Sequence, residues 1–383
     1  MLIGIDASRA FQKERTGIEE YSYQVIKHLR DNLKDDSSSA KFSESKQVIL
    51  YCNPAVNDCP DFKLPKNWKV KFLRAPLFWT QVRLSLEMLF RPVDVLFIPA
   101  HTVPVIYSSK TVVVVHGLEY EFCPQAYSFF ERLYMRWSIR NSCRWAKKII
   151  AVSENTKKDL MRLYGVPEKK IKVIYEGIND QIPNLKSQSQ IVSKFKIQNL
   201  RFLLFVGRLE ERKNICGIIE AFEILKEKYN LPHKLVLAGK FGYGEETIKN
   251  KIERSKYEED IALPGFVSDE EKFKLMKKAE VFLFPTFYEG FGLPILEAQS
   301  MGTPVVTSSV SSMPEVVCLS RERDDYSAVL VDPKNPLAIA EAVYKLISDE
   351  NYKNDIIEKG LENVKRFSWE KCAGEIAEVI SNL

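Results

Sequence analysis

The stretch VFLFPTFYEGFGLPILEAQSMGTPVVTS, residues 281–308, decides the fold because it contains a complete strand, helix and strand unit. The runs VFLFP (281–285) and TPVVTS (303–308) are short and continuously apolar, which is typical of fully buried strands. Between them, Pro294 fits the first turn of a helix, where its missing N–H is not needed. Strands that are apolar on both faces belong in a parallel sheet covered by helices, so the stretch predicts an α/β fold.

The same alternation of short apolar runs and amphipathic segments extends along the whole chain. A first series occupies residues 2–6, 47–52, 70–75, 94–100, 111–117, 148–153 and 171–177, and a second occupies 202–207, 234–239, 260–267, 281–285, 303–308 and 328–333. The polar segment 179–190 separates them. Two such series predict two Rossmann-like, doubly wound domains that face each other across a cleft. We place the domains at residues 1–178 and 179–367, followed by a helix over 368–383 with Ser368 as its N-cap.

Composition and length limit the class of protein. At 383 residues the chain exceeds the ~250–300 residues at which single cores stop growing, which agrees with two domains. No apolar run approaches the ~20 residues of a membrane span and no leader precedes the first strand, so we expect a cytoplasmic protein. The seven cysteines lack the paired spacing of a zinc or redox site, and we expect reduced core thiols. The low-complexity segment 34–46 is expected to be a mobile surface loop.

The charge is distributed unevenly between the two series. Residues 1–178 carry 28 Lys and Arg against 19 Asp and Glu, whereas the rest of the chain carries 28 against 32. A basic N-terminal half predicts an anionic partner, such as phospholipid headgroups or a lipid-linked phosphate. Nucleic acid is the less favoured anionic partner because no nucleic-acid-binding motif accompanies the charge, and we expect none to bind.

Two glutamates flank the glycine turn of the opening stretch. Gly290 and Gly292 are expected to let the backbone approach a ligand and to aim their N–H groups at it. Glu289 lies in the loop before the helix, and Glu297 is expected in the first helical turn. Such a pair can be read as the acid and base of a glycosidase. We favour ligand positioning, because both carboxylates belong to one turn beside an anion-binding helix end.

Basic residues and a histidine follow other predicted strands. Arg208 and Lys213 bracket the turn after the run at 202–207, where two cations can hold a diphosphate without a metal. A solvated turn with ordinary ion pairs is the alternative. His116 ends the run at 111–117 and faces the same edge of its sheet, where it is either structural or a ligand contact.

Four arginines recur at four-residue spacing between residues 132 and 144, interleaved with aromatic residues. They are Arg132, Arg136, Arg140 and Arg144. Four-residue spacing places them on one face of a helix. That face is either solvated or a contact with an anionic membrane.

Six motifs together resemble the retaining glycosyltransferase family 4, whose members have the GT-B fold. In chain order they are FVGRLEERKN, LPGFVSDEE, FPTFYEGFGLPILEAQSMGTPVV, MPEVV, LVDP and FSWE. The first half matches more loosely, through IGIDASR, TGIEEYS, VVHGLEYEFCP and IIAVSENTKKDL. These phrases are similar to bacterial mannosyltransferases and related enzymes that extend surface polysaccharides. The resemblance implies that the helix over 368–383 packs back on the N-terminal, acceptor-binding domain.

The resemblance also implies residue roles in a catalytic group and a donor-binding group. Arg208 and Lys213 would neutralise the diphosphate, Glu289 would contact the donor sugar, and His116 would lie near that sugar. Glu297 would accept hydrogen bonds from the ribose, and the backbone of Val267 would lie beside the nucleobase. The remaining donor contacts implied are Gly17, Phe291, Gly292 and Leu293. The chain departs from the family in having Gly117 after the histidine, where aspartate is common, and serines at 311 and 312.

The implied reaction transfers a hexose from a nucleotide diphosphate to an acceptor hydroxyl with retained configuration. The segments of the first half that resemble mannosyltransferases favour mannose as the sugar and GDP-mannose as the donor. They also favour a glycan or a lipid-linked molecule as the acceptor. UDP-glucose or UDP-N-acetylglucosamine as donor, or a sugar-nucleotide epimerase of similar shape, remain alternatives. The chain has no Asp-X-Asp motif at a strand end, so we expect neither a metal nor another cofactor. A cytoplasmic enzyme in peripheral contact with the inner face of a membrane is the resulting hypothesis.

Overall fold

The computed structural model describes residues 1–12, 15, 17–34, 46–55, 58, 60–75, 78–178, 201–320, 322 and 324–383. The polar segment 179–190, nearly all of the low-complexity segment and Cys59 lie outside these residues. The chain divides into two compact units, which are described separately. The first contains residues 1–118, 128–177 and 367–383, and the second contains 119–127 and 178–366.

The first unit is built on a seven-stranded parallel sheet, as the sequence predicted. Its strands are β1 (Leu2–Asp6), β2 (Gln47–Cys52), β3 (Trp68–Phe72), β4 (Val95–Ile98), β5 (Thr111–Val115), β6 (Lys148–Ala151) and β7 (Ile171–Val173). Their order is β3-β2-β1-β4-β5-β6-β7, and neighbouring strands are parallel. Every residue of β5 is buried, which explains its run of valines: both faces of the strand are covered.

Helices pack on this sheet and bury its apolar side chains. They are α1 (Gly17–Asn32), a π-helical turn (Trp79–Leu84) continued by α2 (Ser85–Phe90), α4 (Phe129–Trp145) and α5 (Glu154–Tyr164). The predicted caps of α5 are confirmed: Ser153 accepts a hydrogen bond from the N–H of Thr156, and Gly165 ends the helix in the left-handed conformation. Ser128 and Glu131 form a capping box that fixes the start of α4.

The second unit is built on a six-stranded parallel sheet, which was also predicted. Its strands are β8 (Phe202–Val206), β9 (Lys234–Ala238), β10 (Ile261–Gly265), β11 (Val281–Phe284), β12 (Val305–Ser308) and β15 (Val329–Val331). The order is β10-β9-β8-β11-β12-β15, so the ends of β8 and β11 are adjacent. A separate two-stranded antiparallel sheet pairs β13 (Cys318–Ser320) with β14 (Asp325–Tyr326).

Four helices connect consecutive strands of this sheet in the βαβ manner: α6 (Ile215–Tyr229), α7 (Glu245–Glu253), α8 (Asp269–Lys278) and α9 (Leu293–Ser300). The second unit also contains α3 (Glu119–Phe122), α10 (Met313–Val317), α11 (Pro336–Ser348) and α12 (Glu350–Val364). The strand, helix and strand unit read from residues 281–308 is therefore β11-α9-β12, and the α/β fold with two Rossmann-like sheets is confirmed.

The C-terminal helix α13 (Trp369–Ser381) packs against α1 in the first unit. Ser368 caps it, as predicted, by accepting a hydrogen bond from the N–H of Lys371 at 3.1 Å. Trp369 is buried and meets the ring of Tyr21 edge-on, with 5.8 Å between the centroids. The six described cysteines are free thiols, and all except Cys216 are buried. Within the described ranges, no helix is both long and apolar enough to cross a bilayer.

Candidate active site

The turn between β11 and α9 is held in shape by two serines. Gly292 precedes the first residue of α9 with φ 124°, a conformation that favours glycine. The hydroxyl of Ser311 accepts from the N–H of Glu289 at 3.1 Å and donates to its carbonyl oxygen at 2.7 Å. Ser312 donates to the carbonyl oxygen of Phe291 at 2.8 Å. Ser311 and Ser312 therefore fix the loop that carries Glu289 to Gly292.

Glu289 forms the centre of a buried charge cluster. Its carboxylate accepts from Nη1 of Arg212 at 2.9 Å and also contacts the ammonium group of Lys213. Arg212 in turn binds Glu210 at 2.7 Å through its other terminal nitrogen. Each of these four side chains is only 12–14% exposed. Two cations and two carboxylates thus balance one another in a site with little water.

The loops after β8 and β11 bring these charges together because the two strands are neighbours in the sheet. The N–H of Phe287 donates to the carbonyl oxygen of Arg212 at 3.0 Å. Asn214 adopts a left-handed conformation, and its side-chain amide donates to the carbonyl oxygen of Pro285 at 3.0 Å. Ligands of open α/β sheets bind at such carboxyl ends of adjacent strands.

Burial and charge oppose each other in setting the pKa values of the cluster. Burial alone would raise the pKa of the Glu289 carboxyl, but the charges of Arg212 and Lys213 outweigh it, so the pKa lies below its usual value. The pKa of Lys213 is lowered by burial and by the neighbouring charge of Arg212, against the attraction of Glu289. Arg212 stays charged: burial works against its cationic form, and the attraction of Glu289 and two other glutamates still raises its pKa.

Arg208 lies on the exposed side of the same cluster. Its side chain runs over Gly242, where an added Cβ would come within 2.7 Å of the Cδ atom of Arg208 and 3.0 Å of Glu210. The absence of a side chain at position 242 therefore lets Arg208 lie beside Glu210. The structure brings together three of the predicted catalytic residues, Arg208, Lys213 and Glu289, within one unit.

The predicted donor-binding residues lie along α9 and at the end of β10. Glu297 is the fifth residue of α9 and so stands in its second turn, not the expected first, because the helix begins directly after Gly292. Its carboxylate accepts from Lys272 at 2.6 Å, and Lys272 belongs to α8. Val267 is part-exposed in the turn between β10 and α8. Phe291 is buried, and Leu293 opens α9.

His116 and Gly17 belong to the first unit. Nε2 of His116 donates to the carbonyl oxygen of Pro99 at 2.8 Å, and Nδ1 lies 3.3 Å from the carboxyl group of Glu176. A carbonyl oxygen only accepts, so Nε2 carries hydrogen, and both ring nitrogens are already used by protein groups. Gly17 begins α1, and among the described residues, its chain neighbours aside, no atom lies within 4 Å of where its Cβ would be.

Comparison with known proteins agrees with this geometry. Residues 186–363 match the sequence profile described as glycosyl transferases group 1, and residues 41–182 match that of Glycosyltransferase Family 4. The O-antigen chain mannosyltransferase B of Escherichia coli is 32% identical over 69% of this chain and 68% of its own length. The chain belongs to glycosyltransferase family 4. It is therefore a glycosyltransferase, and the family predicted from the motifs is confirmed.

This glycosyltransferase is also similar to other relatives and to solved structures. The O-antigen chain mannosyltransferase RfbU of Salmonella typhimurium is 25% identical over 80% of this chain and 82% of its own. The structure of Anabaena HepE in complex with UDP and glucose superposes with a TM-score of 0.73 at 18% identity, covering 100% of this chain and 99% of that one. WaaG, a glycosyltransferase involved in lipopolysaccharide biosynthesis, gives a TM-score of 0.70 at 15% identity, with full coverage of both chains. These two structures show that the GT-B fold is shared.

Three charged residues of the glycosyltransferase were not singled out from its sequence. Arg212 binds two glutamates in the cluster, Lys272 pairs with Glu297, and Glu176 faces His116. Arg212 stands beside Lys213 in the motif RLEERKN, and that adjacency was the available signal. Nothing in the sequence marks Lys272 or Glu176, because their partners are 25 and 60 residues away.

Proposed function

We propose that this glycosyltransferase moves mannose from GDP-mannose to a hydroxyl of a glycan or lipid-linked acceptor, with retention of configuration and without a metal. The observation that carries the proposal is the buried cluster of Arg212, Lys213 and Glu289 beside the exposed Arg208, at the carboxyl ends of β8 and β11. Support for mannose comes from relatives whose names are O-antigen chain mannosyltransferases.

In this proposal the cations stabilise the leaving diphosphate. Arg208 and Lys213 supply fixed positive charge where negative charge develops, which is the strongest effect available to such a site. Glu289 holds Lys213 in place and offers its remaining oxygen to a sugar hydroxyl. Glu297, held by Lys272, accepts from the ribose, and the N–H groups of residues 291–293 face sugar and phosphate.

The proposed reaction needs no base from the protein. The bond between the anomeric carbon and the diphosphate oxygen breaks, and a bond from the acceptor oxygen forms on the same face. The acceptor's proton passes to the departing phosphate oxygen. The protein's task is then to stabilise the separating charges rather than to supply a nucleophile. The assignments of Val267, Gly17 and His116 stay predictions.

A ligand screen by thermal shift tests the donor. We expect GDP and GDP-mannose to raise the melting temperature in the presence of a chelator, because a ligand at about 100 times its Kd adds about 2.7 kcal/mol of stability. UDP, UDP-glucose and UDP-N-acetylglucosamine serve as matched alternatives. If the uridine compounds raise the melting temperature and the guanosine compounds do not, the donor is a UDP-linked sugar and not GDP-mannose.

We also propose that α4 and α2 contact an anionic membrane. In α4, Arg136, Arg140 and Arg144 are exposed and Arg132 is part-exposed. Large apolar side chains are exposed on the same helix at Phe129, Phe130, Leu133, Tyr134 and Trp137. Others are exposed on the π-helical turn and α2 at Val82, Leu86, Leu89 and Phe90. Aromatic residues combined with arginines on a helix surface are typical of segments that lie in the headgroup region of a bilayer.

Vesicle co-sedimentation tests this contact. We expect vesicles of phosphatidylglycerol to bind the protein, and Arg136→Glu with Arg140→Glu to weaken the binding on the order of tenfold or more, since each basic residue near the surface contributes about 1 kcal/mol. Lys277→Glu with Lys278→Glu makes the same charge change on exposed residues of the second unit. The proposal would be contradicted if the protein bound neutral phosphatidylcholine vesicles equally well. It would also be contradicted if both double variants lost vesicle binding to the same extent.

A further inference from the structure

Arg212 connects the loop after β8 to the loop after β11 through three hydrogen bonds of its side chain. Its Nη1 atom donates to the carbonyl oxygen of Tyr288 at 2.8 Å and to Oε1 of Glu289 at 2.9 Å. Its Nη2 atom donates to Oε1 of Glu210 at 2.7 Å. The side chain is only 14% exposed, so protein groups and not water satisfy these nitrogens. The roles proposed above for the donor site do not include this arginine.

The carboxylate of Glu289 binds both of its cations through the same oxygen. Arg212 and Lys213 donate to Oε1, and within the described residues Oε2 accepts no hydrogen bond. An arginine can also bind a carboxylate through both oxygens at once. Here the fork of Arg212 is divided between Glu289 and Glu210 instead, which leaves Oε2 of Glu289 for a ligand hydroxyl.

The charges of the cluster balance only because Arg212 is present. Arg212 and Lys213 carry two positive charges against the two negative charges of Glu210 and Glu289. Without Arg212, Lys213 would be the cation that neutralises Glu289, and a neutralised ammonium group attracts a phosphate less strongly. Arg212 therefore leaves more of the positive charge of Lys213 to a bound anion.

The backbone of the loop after β11 is held by contacts other than those of Arg212. Ser311 binds both the N–H and the carbonyl oxygen of Glu289, and Ser312 also donates to that carbonyl oxygen. The ring of Phe122 stacks on that of Tyr288, with 4.3 Å between the centroids and 14° between the planes. What Arg212 adds is thus the position and the counter-charge of the Glu289 side chain.

We infer that Arg212 is a positioning residue for the glycosyl transfer. It acts through Glu289: it holds Oε1, so that Oε2 is presented to the donor sugar, and it supplies the counter-charge that leaves Lys213 to the leaving diphosphate. The inference rests on the proposed roles of Glu289 and Lys213. It adds a residue that touches neither the donor nor the acceptor.

The pKa of the Glu289 carboxyl reports on this role. Burial raises that pKa, and the charges of Arg212 and then Lys213 lower it by more. Further titratable groups act electrostatically on the cluster from the segment 119–127 and from the loop after β8: Glu119, Cys123, Tyr127 and Glu210. Burial raises the pKa of the Cys123 thiol, and raises that of Tyr127 to about 12, so neither group titrates in the acidic range where Glu289 does.

Carboxyl ¹³C NMR of the protein labelled with glutamate at Cδ tests this step without a donor. The signal of Glu289 is the one that is missing from the Glu289→Gln spectrum. We expect its pKa to lie below 4.5 in the wild type and about one unit or more higher in Arg212→Gln, because a neighbouring opposite charge lowers a carboxyl pKa by about 1–3 units. Arg254→Gln, at the exposed end of α7, is the matched control and should not change it. An unchanged pKa in folded Arg212→Gln overturns the inference.

A double-mutant cycle in turnover tests the action through Glu289. With GDP-mannose and n-octyl α-mannoside, Arg212→Gln should lower kcat by about 10²-fold, because the carboxylate is no longer held in place. The acid limb of its kcat profile should move to higher pH. In the Glu289→Gln background the same substitution should change kcat little, because no carboxylate is left to position. Equal losses in the two backgrounds would show that Arg212 does not act through Glu289.

Arg212→Lys separates the shape of the side chain from its charge. Lysine keeps the positive charge but lacks the fork that reaches Tyr288, Glu289 and Glu210 together, so kcat should lie between those of wild type and Arg212→Gln. This variant also decides the matter if Arg212→Gln fails to fold: wild-type kcat in folded Arg212→Lys would overturn the positioning role. If GDP-mannose gives no turnover while the carboxyl pKa shifts as expected, the donor assignment falls and the role of Arg212 stands.

Discussion

Lys213→Ala is expected to lower kcat by about 10²–10³-fold with any competent donor. Lys213 is buried against Glu289 and Arg212, where a fixed charge acts strongly because little water screens it. Removal of one group that stabilises developing negative charge typically has an effect of this size. Because the leaving diphosphate gains charge only as its bond breaks, kcat and kcat/KM should fall together.

Two further variants show whether the loss reflects charge at this position. Lys213→Arg keeps the charge but changes its shape, and should retain more activity than alanine. Lys277→Ala removes an exposed lysine from α8 and should leave turnover unchanged. Wild-type turnover in a folded Lys213→Ala protein would show that this lysine does not act on the leaving group.

Glu289→Gln is expected to reduce both activity and stability. Without the carboxylate, Arg212 and Lys213 remain buried beside each other with Glu210 as the nearest described acid, and breaking such a buried ion pair typically costs about 3–5 kcal/mol. Lys213 also loses the group that orients it, so we expect turnover to fall by about 10²-fold as well.

The stability effect of Glu289 has a definite pH dependence. Its folded-state pKa lies below the ordinary value of 4.5, so its contribution is present above that pH and is lost as the pH falls through the folded-state value. Melting temperatures of wild type and Glu289→Gln should therefore differ most near pH 7 and converge on acidification below about pH 4.5. Glu253→Gln, at an exposed position of α7, should follow the wild type throughout. A constant difference down to pH 3 would mean that folding does not shift the pKa of Glu289.

The fold could be predicted from the sequence because it is determined by local features of the chain. The central strands of the two main sheets are apolar runs, and burial on both faces requires that composition, as β5 shows. The edge strand β3 carries Lys69 and Lys71 and is less buried. The caps Ser153 and Gly165 are likewise set by neighbouring residues. These features involve contacts within a few positions of the chain, so a pattern reveals them.

The side-chain contacts of the site could not be predicted as well, because they involve residues that are distant in the sequence. Glu289 was predicted as a ligand contact, but its pairing with Arg212 depends on how the turn at Glu211–Lys213 directs three consecutive charged side chains. His116 was predicted to face the sugar, yet its ring is held by Pro99 and Glu176, 17 and 60 residues away.

The most direct test of the account is the product formed from GDP-α-mannose. The protein would be incubated with this donor, a chelator and n-octyl α-mannoside, and the new glycosidic linkage assigned by NMR from its anomeric signals. We predict an α-linked mannosyl product, formed equally with and without the chelator. A β-linked product, a product that requires a divalent metal, or transfer from a UDP-linked sugar alone would contradict it.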